Sequence, residues 1–436
     1  MFGRRQGGVA SSGYDESWYY ATARGMVRHP SLTESLDVDV CVVGAGYTGL
    51  SAAIELAERG FTVALLEGHR VGAGASGRNG GVLGMGQRKD QDDLESMLGM
   101  PAAQQMWQIA CDANQLVRDR VARFNIDCDL TDGELHVAHK SRYVSAMWRY
   151  TEHLAQHYGY TDQRNIDRDE VAAIMGVDTY YGGVLDKQAG HLHPLNLALG
   201  LGRAAAELGV QIFEQSVVTN IQQPAPDRVI ASTAAGRVTA KFLVLACNGY
   251  LGNLNSNAGK YQMPINNFVL ATAPLGAARA RQINRDNVAI VDSRFVVNYF
   301  HNSPDQRLIF GGGENYSPFF PKDIKAFVRQ HMLAVYPQLA DVVIDYAWGG
   351  TLAITMRRMP SFGRQGRNIY WAQGYSGHGI AMANMGGKLV AEAITGQAGR
   401  FDLFANLRHI PFPGGRWLRW PGLVAGMLYY SMLDKF

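Results

Sequence analysis

Residues 37–46 read DVDVCVVGAG, with polar and apolar positions alternating before an apolar run ends in glycine. A strand that becomes buried on both faces and then breaks into a turn has this pattern. Beyond it, Leu50, Ala53, Ile54 and Ala57 fall at helical spacing, with Ser51, Glu55 and Glu58 on the opposite side. The spacing predicts a helix over 47–59 with one apolar stripe facing inward. Gly60 stands where a helix commonly stops, and 61–67 reads as a second strand closing on an acid, Glu67. Farther on, helical spacing recurs over 93–124 and Pro194 begins another helix. The segments NNFVLATAPL, RFVVNYF and RLIFGGG predict strands of a mixed or antiparallel sheet. Residues 237–248 (RVTAKFLVLACN) read as a buried strand, and 368–394 as strand, Gly-rich turn and helix.

The first three elements form a βαβ unit, and Gly44, Gly46 and Gly49 stand in GxGxxG register within it. In such a unit the first glycine serves the tight turn and the second lets backbone N–H groups approach a pyrophosphate. The third lets the helix lie close to the strand, with its positive end facing the phosphates. Glu67, eighteen positions after Gly49, is placed to accept the two hydroxyls of an adenosine ribose and disfavours a 2′-phosphate, hence NADP. Residues 72–86, GAGASGRNGGVLGMG, follow the second strand as a Gly-dense loop with one cation, Arg78. An ordinary βα unit would continue an NAD fold there. A loop of this kind instead suits backbone wrapping of an extended dinucleotide, with Arg78 near the phosphates or the isoalloxazine edge.

Composition narrows the class without changing this picture. The 436 residues suggest two or three domains, and 47% hydrophobic against 18% charged residues gives material for a large core. Lys plus Arg number 41 and Asp plus Glu 38, a net +3 spread along the chain, so no basic stripe suited to nucleic acid is present. Glycine, 50 residues, is well above the usual share of about 7%. Cys41, Cys111, Cys128 and Cys247 form no CxxC pair, which argues against a zinc site or disulfide framework and suits a reducing cytoplasm. Residues 1–14 lack the apolar region of a secretory leader. The apolar run 423–433 is too short to span a membrane and reads as a terminal helix packed on the body, membrane-surface contact being the lesser alternative.

VVGAGYTGLSAAIELAERGFTVALLE followed by GASGRNGG resembles the glycine/sarcosine/D-amino-acid oxidase class of flavoproteins, as do RVTAKFLVLACN and NIYWAQGYSGHGIAMANMGGKLVAEAI. Several stretches are similar to its γ-glutamylputrescine oxidoreductase branch: TDGELHVA (131–138), GHLHPLNLALG (190–200), GGGENY (311–316), TLAITMRRMPSFG (351–363) and FANLRHIPFPGGR (404–416). The resemblance implies an α/β fold, with a Rossmann-like FAD-binding domain of the glutathione-reductase type and a mixed or antiparallel-sheet substrate domain of the D-amino-acid oxidase type. The FAD domain is expected to be discontinuous, over 36–88, 194–255 and 356–400. Residues 89–193 and 256–355 would form the substrate domain, helical at first and then short strands, and 401–436 a helical tail. Beyond Gly44, Gly46, Gly49, Glu67 and Arg78, the implied FAD contacts are Tyr47, Thr48, Gly68, Ala75, Ser76, Asn79, Gly80, Gly81, Val217, Val218, Cys247, Asn248, Gly374, Gly377, Gly379 and Ile380.

The implied chemistry is oxidation of an amine held over the flavin. Hydride transfer and hydrolysis of the imine would give an aldehyde and ammonia, and dioxygen, as acceptor, hydrogen peroxide. γ-Glutamylputrescine or a related γ-glutamylated polyamine is the implied substrate. Rival readings are an L-pipecolate or other secondary-amine oxidase, a quinone-linked dehydrogenase and a flavin-binding protein without turnover. Candidate catalytic residues are His378 in the Gly-rich turn, Tyr375 and Trp371 beside it, and Arg358 for a substrate carboxylate. Ala381 stands where sarcosine oxidase-like enzymes carry a carboxylate-anchoring Lys. Because no Cys follows Cys247, FAD is expected to bind without the covalent link of those relatives. His191 and His193 are read as structural, with no metal implied. The oligomeric state is left open.

Overall fold

The computed structural model describes residues 15–315 and 319–412. The apolar run 423–433, most of the proposed tail and the ends of two family-like stretches lie outside the described residues.

Two sheets share the molecule. The first contains eight strands, and its main path runs in the spatial order 361–365, 369–373, 237–245, 35–43, 63–66, 211–213. Ser35–Val43 lies at its centre, parallel to Arg237–Leu245 on one side and Val63–Leu66 on the other. Its last four residues are buried, as a strand covered on both faces requires. Arg237–Leu245 divides its pairing. Leu243–Leu245 run parallel to Ile369–Trp371, while Arg237–Ala240 pair with an antiparallel hairpin over 220–232.

The second sheet has nine strands and begins with Ile344–Ile354, Met263–Thr272 and Leu308–Asn315. It is antiparallel except where Ala289–Asp292 runs parallel to Thr131–Val137. Phe268, Leu270, Phe300 and Phe310 project from one face onto helix Ile324–Val335, with Phe300 and Phe310 stacked at 5.0 Å. RFVVNYF supplies a strand only from Tyr299 onward. The helical pattern over 93–124 resolves into Gln91–Leu98 and Met100–Arg123, because Gly99 at φ +81° reverses the chain. Short strands do not account for the rest of that insert, since it also holds helix Ser141–Tyr158. Only Leu154 of this helix is buried, so its apolar signal is weak.

Helix Tyr47–Glu58 follows the central strand closely. A Cβ on Gly49 would stand 1.8 Å from the Gly44 carbonyl oxygen, so no other residue fits. Helix Gly379–Ile394 packs against it just as tightly, since a Cβ on Gly387 would meet the Thr48 oxygen at 2.3 Å. Beneath this contact Arg120, buried, donates to Ser51 Oγ at 2.7 Å, Asn384 Oδ1 at 3.0 Å and Glu55 Oε1 at 3.0 Å. No helix among the described residues is long and apolar enough to cross a membrane.

Removing one member of a buried ion pair strands its partner. Arg120→Met should therefore cost about 3 kcal/mol, at the low end because Glu55 keeps Arg59 at 2.7 Å. The Arg120→Met/Glu55→Leu double variant should recover most of that loss. Urea denaturation midpoints check both expectations, and an unchanged single variant would count against the network.

Candidate active site

A cavity of about 1990 Å³ runs between the two sheets, larger than the roughly 300–1,000 Å³ of an ordinary small-molecule pocket. The first βαβ unit builds one end. Gly44 turns the chain at φ +106°, where a Cβ would press on the Ala246 oxygen at 2.8 Å. Helix Tyr47–Glu58 starts at the cavity wall, and Ser76 Oγ accepts its Tyr47 N–H at 3.0 Å. The two carboxylate oxygens of Glu67 accept from Ala45 N and His69 N, each at 2.8 Å. Burial outweighs those bonds and raises the proton affinity of Glu67. A carboxylate keeps further lone pairs, so it can still take sugar hydroxyls. Gly68, Val217, Val218 and Cys247 wall the same end.

A second helix N-terminus opens on this cavity, where Gly377, His378, Gly379 and Ile380 lead into helix Gly379–Ile394. Ala75, Ser76, Asn79, Gly80 and Asn248 line the stretch between the two. Helix N-termini carry unsatisfied N–H groups and partial positive charge. One end suits a diphosphate, and the other suits a ring that gains negative charge. The residues present fit an FAD.

Not every residue expected at this site reaches it. Gly49, inside the first helix, and Gly81 and Gly374, at positive φ in turns, do not line the cavity. Trp371 is 6% exposed and packs among Cys41, Leu245 and Ile369, because its register opposite Leu245 sends it into the core. Tyr375 borders the cavity, but its hydroxyl donates to Ala372 O at 3.0 Å and pairs with Thr48 Oγ1 at 2.7 Å. It ties the turn to the first helix and is not free to meet a substrate. Arg78 donates Nε to Ala73 O at 2.7 Å and Nη1 to Gly349 O at 3.1 Å. Its guanidinium ties the Gly-rich loop to the second sheet, and the residue also lines the cavity. Trp348 Nε1 donates to the Arg78 carbonyl at 3.0 Å and strengthens the same seam.

Arg358 lines the cavity at φ +60°. His378 donates Nε2–H to Met85 O at 3.0 Å. Burial and nearby Arg88 pull its pKa down to about 4, so it is a neutral imidazole with Nδ1 as acceptor. His191 and His193 separate despite their spacing. His191 stacks on His301 at 4.3 Å and bonds Asn287 O. His193 caps helix Pro194–Glu207 through Asn196 N.

The sequence reading passed over one group. In strand Thr131–Val137, Leu135 and Val137 enter the core while Glu134 and His136 face the cavity. A Cβ on Gly84 would stand 3.2 Å from both Glu134 Oε2 and His378 Nε2, so the two groups flank one point of the wall. Burial, then Asp186 across the strand pair, pushes the Glu134 carboxyl up to about 8. The alternation D-G-E-L-H-V was the available signal, because it gives one strand face an acid and an imidazole.

Comparisons with known proteins agree with this geometry. Residues 39–393 match the family model DAO, described as FAD dependent oxidoreductase. The chain is 40% identical to gamma-glutamylputrescine oxidoreductase of Escherichia coli (strain K12), over 97% of this chain and 99% of that protein. It is 38% identical to a probable oxidoreductase OrdL of Rhizobium meliloti (strain 1021), over 98% of each. Glycine oxidase from Geobacillus kaustophilus superposes with a TM-score of 0.73 at 21% identity, covering 86% of this chain and all of that one. L-proline dehydrogenase from P. horikoshii gives 0.69 at 21% identity, covering 84% of this chain and 94% of that one. These last two likenesses carry the fold, a Rossmann-like FAD-binding part beside a mixed-sheet part. With the family model spanning most of its length, the chain belongs to the DAO family of FAD-dependent oxidoreductases.

Proposed function

We propose that the enzyme is an amine oxidase acting on γ-glutamylputrescine or a related γ-glutamylated polyamine. The products would be an aldehyde, ammonia and, with dioxygen as acceptor, hydrogen peroxide. One observation carries this reading: 40% identity extends over almost the whole of this chain and of its Escherichia coli relative. The cavity supports it, its volume of about 1990 Å³ leaving room for a substrate beside a dinucleotide.

FAD, when bound, supplies the acceptor for hydride from the carbon next to the substrate nitrogen. The chain's own residues do the rest. Glu67 and the first helix N-terminus hold the nucleotide end, and the N-terminus of Gly379–Ile394 offers positive potential where reduction adds negative charge. The buried wall strips water from the amine, which must be neutral to release hydride. Arg358 is the candidate partner for a distal α-carboxylate. Ala381, buried in helix Gly379–Ile394, cannot anchor a carboxylate, which favours a long substrate over sarcosine or glycine. No Cys follows Cys247, so FAD is read as held without the Cys link of sarcosine oxidase-like enzymes. The four cysteines are all free, which fits a cytoplasmic setting.

Three outcomes follow from this reading. Acid precipitation of the yellow protein should leave the flavin in the supernatant, whereas colour in the pellet would refute non-covalent binding. Anaerobic mixing with γ-glutamylputrescine should bleach the flavin faster than putrescine, L-pipecolate or sarcosine does, and bleaching by none of them would sink the amine reading. Arg358→Met should raise KM for γ-glutamylputrescine by ~10- to 100-fold, the worth of a charge-assisted hydrogen bond. Putrescine lacks the carboxylate and should be unaffected.

A further inference from the structure

We propose that Glu134 receives the ammonium group of the substrate and takes its proton, so that the pocket selects cationic amines; this rests on the amine-oxidase reading above. The geometry sets Glu134 apart from its neighbours. Asp186, opposite it in the strand pair, is saturated with donors: Tyr160 OH at 2.7 Å, Gln163 Nε2 at 3.0 Å, Gln188 N at 2.9 Å and Ala189 N at 3.3 Å. Glu134 has no such partners among the described residues, and its carboxyl opens onto the cavity beside the turn that leads into helix Gly379–Ile394. A half-buried carboxylate that faces a cavity and lacks donors is stabilised when it is protonated or meets a cation. An incoming ammonium with three N–H groups meets that need.

The surroundings decide the charge of the group that fits. From its own strand Glu134 is faced by His136, whose proton affinity desolvation in the cavity wall lowers. The partner strand contributes Asp186, and Asp292 stands farther along the adjoining strand, near His136. The Gly-rich turn contributes neutral His378, and the loop before helix Gln91–Leu98 contributes Arg88, whose charge also reaches both histidines. Two carboxyl groups beside imidazoles of lowered proton affinity make a point that attracts a cation. Arg88 also lines the cavity wall.

The step balances. In the free enzyme Glu134 loses its proton to solvent as the ammonium arrives. One N–H bond then breaks and one O–H bond forms on Glu134, the electron pair remaining on nitrogen. In a desolvated cavity the neutral amine and neutral acid are favoured over the ion pair they replace. The freed lone pair is what permits hydride loss from the adjacent carbon.

Anaerobic rapid mixing of the flavin-loaded enzyme with γ-glutamylputrescine tests this, reading apparent Kd and the bleaching rate from pH 6.5 to 9.5. A carboxyl that must be ionised to bind makes the wild-type Kd fall as pH rises through about 8. Glu134→Gln copies the protonated acid, so flavin content and urea midpoint should be kept while Kd at pH 8.5 rises at least tenfold and the pH limb disappears. Glu134→Asp should retain a displaced limb, and it carries the test if the Gln variant does not fold. A wild type bleached normally, with a Gln variant within twofold and the same limb, overturns the role of Glu134 alone. A wild type bleached by no amine overturns the amine reading and this proposal with it.

Discussion

Helix Tyr47–Glu58 and helix Gly379–Ile394 come from opposite ends of the chain and meet nearly backbone to backbone. Residue 387 must lack a side chain for this, since a Cβ there would also lie 2.6 Å from Ala52 N. The close contact fixes the relative position of two helix N-termini, and both open on the same cavity. Partial positive charges brought together in a water-poor cleft repel one another until something anionic lies between them. The arrangement therefore stabilises a bound dinucleotide and is in turn stabilised by it. Arg120, spanning Glu55, Ser51 and Asn384, gives the helix pair one preferred register.

The second sheet turns this groove into a site. Its outer face is packed with aromatic rings under helix Ile324–Val335, while residues of the other face look toward the first sheet. The seam between them is polar. Arg78 donates across it to the Gly349 oxygen, and Trp348 donates back to Arg78. Tyr19 packs edge-on against Trp348 at 5.1 Å.

The charged groups around the cavity differ in how far they are engaged. Burial and nearby Arg88 keep His378 neutral, and Asp186 is satisfied by four donors. Glu134 is a carboxyl left with hydrogen-bonding capacity unspent. Low dielectric magnifies whatever such a group meets, which makes a single carboxyl enough to choose between a cation and a neutral guest.

The sequence by itself determined the nucleotide end. Gly44, Gly46 and Gly49 act through backbone geometry and Glu67 through its carboxylate, all within one contiguous βαβ unit, and local spacing is sufficient to read them. The same holds for the Gly-rich turn before helix Gly379–Ile394, because a helix N-terminus is a local object. What local pattern could not reveal was the direction of side chains on strands that meet far-off partners. Trp371 and Tyr375 sit beside the right turn, yet pairing with Leu245 buries one and Thr48 claims the hydroxyl of the other. Arg78 stands in the Gly-rich loop, but only packing brought its guanidinium to the Gly349 oxygen of the second sheet. Glu134 gained its setting only when Asp186, Gly84 and His378, brought from three other segments, closed around it. Burial and Coulomb forces depend on distance in space, and separation along the chain does not fix that distance until the two sheets have packed.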